Sequence, residues 1–185
     1  MKTDLKDYLK IYNVIDTELC DATILELDSS QWEKHTYHNP LDNEDITYED
    51  DLSISHDTIS TTPKLMEKTW NCFKTYLSDL DMRWYYGWQA HSSIRFNRYD
   101  PNTHMRIHCD HIHTLFDGHQ KGVPVMTALG LLNDTYEGGD FLMFEDEKIN
   151  LRKGDIAIFP SNFLYPHLVK PVISGVRYSF VSWAW

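Results

Sequence analysis

The segment Arg106-Ile-His-Cys-Asp110 sets a histidine and an aspartate two residues apart, and a second histidine, His167, stands far downstream in Tyr165-Pro-His167. On a strand, side chains two apart share a face, so His108 and Asp110 both point inward while Cys109 points away. With His167 arriving from a distant strand, two neutral imidazoles and one carboxylate occupy one side of a first-row metal. The remaining positions stay open for a chelating cosubstrate and dioxygen, which is the arrangement of non-haem Fe(II) centres. Zinc competes, because catalytic zinc also accepts two histidines and a carboxylate, so the triad alone leaves the metal open. Arg177, ten residues past His167, shifts the balance to iron. On a strand returning from the metal, its guanidinium can grip a remote carboxylate with two parallel hydrogen bonds. A dicarboxylate cosubstrate would then span metal and arginine.

Other reactive side chains read differently. His104, His111, His113 and His119 enrich the neighbourhood in imidazole. No cysteine or third ligand stands at a spacing that would make His111 and His113 a separate zinc site, so they read as loop histidines near the mouth. Cys109 is turned away from the metal face by alternation and reads as a packed thiol rather than a nucleophile. Trp84, Tyr85, Tyr86 and Trp88 read as core aromatics before they read as a stacking platform. Gly138 and Gly139 precede a strand, not a helix, and so form a turn rather than a phosphate loop.

Taken in order, the motifs carry a resemblance. They are Arg98-Tyr99, His108-x-Asp110, Asn133-Asp134, Gly138-Gly139-Asp140-Phe141, Gly154-Asp155, Phe159-Pro160-Ser161 and Pro166-His167 through Gly175-x-Arg177-Tyr178-Ser179. From about Ile94 to Trp185 the chain resembles the 2-oxoglutarate- and Fe(II)-dependent oxygenases of the prolyl 4-hydroxylase type. That resemblance implies a double-stranded β-helix in which His108, Asp110 and His167 bind iron. It further implies that Arg177 binds the far carboxylate of 2-oxoglutarate and that Tyr99 hydrogen-bonds the cosubstrate. The implied reaction consumes O2 and 2-oxoglutarate, with ascorbate as auxiliary reductant, and hydroxylates a C–H bond. A prolyl or other side chain of a peptide or protein is the implied substrate. A free amino acid or other small molecule is one alternative, and a non-catalytic jelly-roll binding module is another. Two positions depart from many relatives: Met105 replaces an aromatic residue three before the first histidine, and Leu131 replaces a tyrosine in the strand before Asn133. The cosubstrate pocket is therefore expected to have a different lining. The second arginine that nucleic-acid dealkylases carry shortly after the first is absent after Arg177.

Composition agrees with a lone catalytic domain. A chain of 185 residues suits one domain, and at that size roughly 70% of the unfolded surface can be buried. A single oxygenase domain over 1–185 is expected, with helices, an acidic loop and supporting strands in 1–90 and the β-helix core in 91–185. The net charge of −11 without a lysine or arginine run argues against nucleic-acid or anionic-membrane partners. The three cysteines, Cys20, Cys72 and Cys109, are odd in number and widely spaced, so no disulfide framework is expected and a reducing cytoplasm is the simplest home. Neither a leader peptide nor an apolar span is visible in the sequence. The oligomeric state is left open.

The elements that must position these residues follow from periodicity. Ile11 to Ile15 reads as a short edge strand. Asp16 can cap a helix through Leu19, Ala22, Ile24 and Leu25. A second helix has Thr62 as N-cap and Pro63 in its first turn, with an apolar face of Leu65, Thr69, Trp70, Phe73, Tyr76, Leu77 and Leu80 that should lie on a sheet. Residues 38–61 are polar and acidic and read as a solvated loop or as a lid over the site. From Arg83 onward, eight short β-rich runs appear: 83–88, 92–99, 105–110, 123–132, 141–144, 156–159, 164–169 and 176–183. Turns between them are too short for crossover helices, which predicts antiparallel pairing. The expected fold is α+β, mainly β: a jelly roll with N-terminal helices packed on one sheet.

Overall fold

A computed structural model describes residues 4–39, 42, 44–82, 84–85, 90–110 and 124–185. The first half of the chain holds β1 (Lys10–Asn13), α1 (Thr17–Leu27), β2 (Glu33–Lys34), β3 (Thr36–Asn39), β4 (Glu44–Thr47), β5 (Ser53–Ser55) and α2 (Thr62–Asp79). The second holds β6 (Arg95–Tyr99), β7 (Met105–His108), β8 (Met126–Leu131), β9 (Glu137–Gly138), β10 (Phe141–Met143) and β11 (Glu147–Lys148). It ends with β12 (Asp155–Pro160), β13 (His167–Val169), β14 (Val172–Ser174) and β15 (Arg177–Ala184). A seven-stranded sheet runs β1-β12-β8-β15-β6-β5-β2 and faces a four-stranded sheet, β11-β10-β13-β7. Two short ribbons, β14-β9 and β3-β4, complete the set. Every pairing between these strands is antiparallel. This is the expected mainly β jelly roll.

The large sheet is buried on both faces, which is why β8 and β15 read as near-continuous apolar runs rather than strict alternations. One face packs against the helices, with Phe96, Ile156, Ile158 and Phe180 meeting Leu65, Phe73 and Tyr76 of α2. The other faces the small sheet, with Leu129, Phe159 and Val181 meeting Phe141, Met143 and Val169. Burying each such side chain contributes about 1.5–3 kcal/mol. The candidate residues sit between the sheets: Tyr99 and Arg177 fall on the inward phase of β6 and β15, whose other phase feeds the helix layer, and His167 faces them from β13 of the small sheet.

Several local expectations are corrected. The Asp16 side chain does cap α1, accepting from the Leu19 amide at 2.9 Å. The buried stripe of α1 is Leu19, Cys20, Thr23 and Leu27, however, while Ala22 and Leu25 face solvent. Helix α2 begins one residue before its expected start: Thr61 is the N-cap and Thr62 lies in the first turn, its hydroxyl accepting from the Ile59 amide at 3.1 Å. Residues 38–61 are not simply a loop, since β4 and β5 lie within them and Asp51 and Leu52 are fully buried; residues 40, 41 and 43 fall outside the described set. The alternation Leu52-x-Ile54, which puts two apolar side chains on one face, is the signal that the acidic flanks obscured. The run 83–88 forms no strand at Trp84 or Tyr85, and Trp84 is 70% exposed rather than core; Arg83, Tyr86, Gly87 and Trp88 lie outside the described residues. No helix among the described residues is long and apolar enough to cross a membrane.

Candidate metal centre

His108 closes β7 and His167 opens β13, and the two residues are paired across the small sheet. Their rings stand 4.3 Å apart between centroids. Asp110 follows two residues after His108, and its carboxylate lies 3.5 Å from His108 Nε2 and 3.9 Å from His167 Nε2. One ligand atom from each residue falls within 4.8 Å of the others, and among the described residues this is the single cluster with such an arrangement. The Nδ1 atoms are occupied elsewhere: that of His108 lies 2.9 Å from the Arg106 carbonyl and that of His167 lies 3.1 Å from the Tyr165 carbonyl. A proton on each Nδ1 donates to its carbonyl, which fixes the tautomer and leaves both Nε2 lone pairs aimed at the space beside Asp110.

The electrostatics suit a cation. Burial pushes the Asp110 carboxyl up, but the His167 charge, the His108 hydrogen bond and the Thr127 hydroxyl together outweigh it and hold it below the ordinary carboxylate range. Thr127 Oγ1 donates to Asp110 Oδ2 at 2.8 Å. Burial pulls His167 down to about 4, with Asp110 opposing the shift. At neutral pH that imidazole is therefore uncharged, the form that ligates metal, and its charge supports the Asp110 carboxylate only in acid. Phe159 and Phe141 present their rings to His167 at 5.2 and 5.6 Å, which keeps water from its far side. A second buried imidazole, His35, is pulled to about 4 mainly by burial.

These two histidines give a pH prediction. A base whose folded pKa lies below its unfolded value takes up a proton on unfolding, so stability is lost as pH falls from about 6.5 to about 4. In chelator, the melting temperature should fall across that window, each histidine costing about 2 kcal/mol or more by its end. Calorimetry should show a shallower slope for His35→Gln; an unchanged slope would remove His35 from this account.

Arg177 lies at the start of β15 opposite Tyr99 on β6. It is 1% exposed and is the bulkiest fully buried side chain in the described set. Its guanidinium sits 4.9 Å above the Tyr99 ring and 6.0 Å from that of Tyr136, and Nη1 donates to Ser179 Oγ at 3.0 Å. Nε has no hydrogen-bond partner, and among the described residues no carboxylate pairs with it. A buried cation without an anion is costly, so this geometry fits an anionic ligand better than a structural salt bridge. A cavity of about 320 Å³ lies against Arg177 and is lined also by Leu131, Tyr136, Gly139 and Phe141, room enough for a small dicarboxylate. Asp134, Asp140 and Lys148 line it too, and none of His108, Asp110 and His167 does. Leu131 thus lines this space, as its departure from the usual tyrosine suggested, while Met105 is buried against Tyr37. A larger groove of about 770 Å³ beside Leu19, Lys68 and Asn71 contains none of these groups.

Residues 94–185 match the 2OG-Fe(II) oxygenase superfamily. The chain belongs to that superfamily. A PKHD-type hydroxylase from Crocosphaera subtropica is 33% identical over 96 residues, which is 49% of this chain and 41% of that protein; the chain spans less than half of that relative's length. Solved structures share the fold at low identity. A prolyl hydroxylase from Trichoplax adhaerens, in complex with a hypoxia inducible factor oxygen degradation domain peptide fragment, superposes with a TM-score of 0.70 at 17% identity, covering 96% of this chain and 83% of that one. A Pseudomonas putida prolyl-4-hydroxylase gives 0.67 at 16% identity, with 96% and 91% covered. The viral collagen prolyl hydroxylase of Paramecium Bursaria Chlorella virus-1 gives 0.63 at 16% identity, with 96% and 94% covered. As in a member of this superfamily, the donor set of two imidazoles and a carboxylate with a remote buried arginine fits iron and 2-oxoglutarate.

All five residues singled out in the sequence are therefore placed: His108, Asp110 and His167 cluster, and Arg177 stacks on Tyr99. His111, His113 and His119 lie outside the described residues, and Cys109 is half-buried and in no disulfide. Sequence reasoning missed Thr127, which holds Asp110, and Tyr136, which flanks Arg177. Only the strand register Trp183↔Thr127 would have placed Thr127 on the inward face. The Gly138-Gly139 turn is confirmed by φ of +74° and +61°. A Cβ at Gly139 would stand 3.1 Å from Arg177 Cδ and as close to Tyr136 and Val172. Gly139→Ala should therefore cost about 1 kcal/mol or more in stability and weaken 2-oxoglutarate binding roughly tenfold by displacing the guanidinium. Titration calorimetry checks this; an unaltered affinity would mean that the turn does not position Arg177.

Proposed function

We propose that this chain is an Fe(II)- and 2-oxoglutarate-dependent dioxygenase, acting as one domain that hydroxylates a side chain of a peptide or protein in the manner of prolyl 4-hydroxylases. The observation that carries the reading is that the His108, Asp110 and His167 cluster and a buried Arg177 with no anionic partner among the described residues both lie in the space between the two sheets. In this reading the two Nε2 atoms and the Asp110 carboxylate hold iron, Arg177 and the Ser179 hydroxyl bind the far carboxylate of 2-oxoglutarate, and Tyr99 donates a hydrogen bond to it. Iron, bound with 2-oxoglutarate and O2, supplies oxidative decarboxylation of the cosubstrate to succinate and carbon dioxide, coupled to hydroxylation of a C–H bond.

The protein's share is geometry. Thr127 orients the Asp110 carboxylate, the Arg106 and Tyr165 carbonyls orient the imidazoles, and Phe141, Phe159 and Leu131 make the walls apolar so that water is excluded. A peptide substrate is supported by the fold shared with a prolyl hydroxylase that was solved with a peptide bound. Ascorbate is assigned the auxiliary task of returning iron to the ferrous state. Buried thiols at Cys20 and Cys72, with no disulfide among the three cysteines, suit a reducing compartment such as the cytoplasm.

The test is succinate production from 2-oxoglutarate by purified protein with Fe(II), ascorbate and O2, alone and with proline-containing peptides and free amino acids. Turnover that depends on Arg177 and rises with a peptide supports the proposal. Stimulation by a free amino acid alone would move the substrate to small molecules. Absence of both iron and 2-oxoglutarate binding would sink the oxygenase reading.

A further inference from the structure

The inward face of β6 carries a second cation. Alternation from Tyr99 through Asn97 brings Arg95 to the same face, opposite Val181 of β15. Its guanidinium lies over the Trp183 ring, 5.1 Å from the centroid, and Nε donates to Asn97 Oδ1 at 3.2 Å. Trp183 is paired with Thr127, whose hydroxyl holds Asp110, so Arg95 and Trp183 flank the metal cluster at the end of the face opposite Arg177. Among the described residues no carboxylate forms an ion pair with Arg95, and Asp110 is the acidic group whose charge most supports its own. Beside it, the buried His35 carries an Nδ1 without a partner among the described residues, and the charges of Arg95 and His108 both act on that ring.

Charge decides what belongs there. If the oxygenase reading holds, on which this inference rests, a dication, the Asp110 carboxylate, a dianionic cosubstrate and Arg177 cancel. Among the described residues the Arg95 charge is then left without compensation in a half-buried site. A cation held flat by stacking and by one side-chain hydrogen bond presents its remaining N–H groups to one planar anion. We infer that Arg95 anchors a carboxylate of the substrate, with Trp183 as the apolar floor beneath it, so that the substrate is an acid rather than a neutral prolyl peptide.

Two matched pairs of probes test this: L-proline against L-prolinamide, and a capped Ala-Pro-Glu-Ala peptide against its Gln counterpart. Each is titrated calorimetrically, without O2, into protein saturated with Mn(II) and 2-oxoglutarate, so that Arg177 is already occupied. In at least one pair the acid should bind about tenfold or more tightly than the amide. That preference should collapse in Arg95→Gln and survive in Arg95→Lys, with 2-oxoglutarate affinity and melting temperature retained in both. Which pair responds separates a free acid from a side-chain carboxylate. No acid preference in the wild type, or a preference that survives in folded Arg95→Gln, overturns the inference. Should Arg95→Gln fail to fold, the Arg95→Lys comparison and the wild-type pairs still decide it. Failure of 2-oxoglutarate to bind in an Arg177-dependent way would instead count against the oxygenase reading, and the acid and amide comparison is then read with Mn(II) alone.

Discussion

Arg177→Gln is expected to weaken 2-oxoglutarate binding by about 100-fold to 1,000-fold while leaving the fold as stable as before, or more so. The loss follows from removing a pair of charge-assisted hydrogen bonds to a buried carboxylate, each contributing about 1.5–3 kcal/mol. The stability half follows from what surrounds the side chain. Arg177 is 1% exposed, its Nε is unpartnered, and Ser179 and the Tyr99 ring are neutral. Ordinary buried ion pairs collapse when one partner goes, because the other is left charged. Here the replacement removes a charge that has no partner among the described residues, so the melting temperature should hold or rise by about 2–4 °C per kcal/mol gained. Differential scanning calorimetry without cosubstrate, set beside titration with 2-oxoglutarate, reads both halves. A large loss of stability together with unchanged affinity would mark Arg177 as structural and remove the cosubstrate anchor.

Asp110→Ala is expected to abolish turnover and to weaken metal binding by more than the roughly 10–100-fold typical of losing an outer-shell partner, while the chain still folds. Asp110 lies just past the end of β7, and both sheets are held by Leu129, Phe159, Val181 and their partners without it. Its removal costs the Thr127 hydrogen bond, about 1 kcal/mol. Metal-dependent stabilisation, which follows from mass action on the folded state, should largely vanish in the variant and be plain in the wild type. Melting curves with Fe(II) or Mn(II) and with chelator separate the outcomes. A variant that no longer folds, or a wild type that unfolds in chelator, would point to a structural metal in place of a catalytic one.

Much of the centre could be read from the sequence because its ligands obey local rules. His108 and Asp110 share a strand phase, His167 and Arg177 bracket a β-ribbon, and Gly138-Gly139 marks a turn that needs positive φ. The rest depends on which strands meet. Thr127 is one threonine in an apolar run until its pairing with Trp183 sets it beside Asp110. Arg95 is an ordinary strand arginine until its register with Val181 points it inward. The same limit explains the helices: Leu25 fits an apolar stripe by spacing, yet α1 presents Cys20 and Thr23 to the core instead. The short strand β5 was hidden because acidic neighbours mask Leu52 and Ile54, and its place comes only from pairing with β6 and β2, while β4 pairs with β3 alone.

The order of strands in the large sheet bears on how this unit can be cut or transplanted. Its four central strands, β12, β8, β15 and β6, all come from the half of the chain that matches the superfamily, yet neither flank of that quartet is closed by it. On one side β1 pairs along β12, and on the other β5 and then β2 extend β6. An excised 94–185 segment would keep His108, Asp110, His167 and Arg177 but expose two open rows of peptide N–H and C=O groups. Such bare edges recruit other chains and end in insoluble β-aggregates. The first half, which lies outside the matched residues 94–185, is thus a chaperoning border for the second, and grafting the site onto another scaffold requires carrying its hems along with its centre.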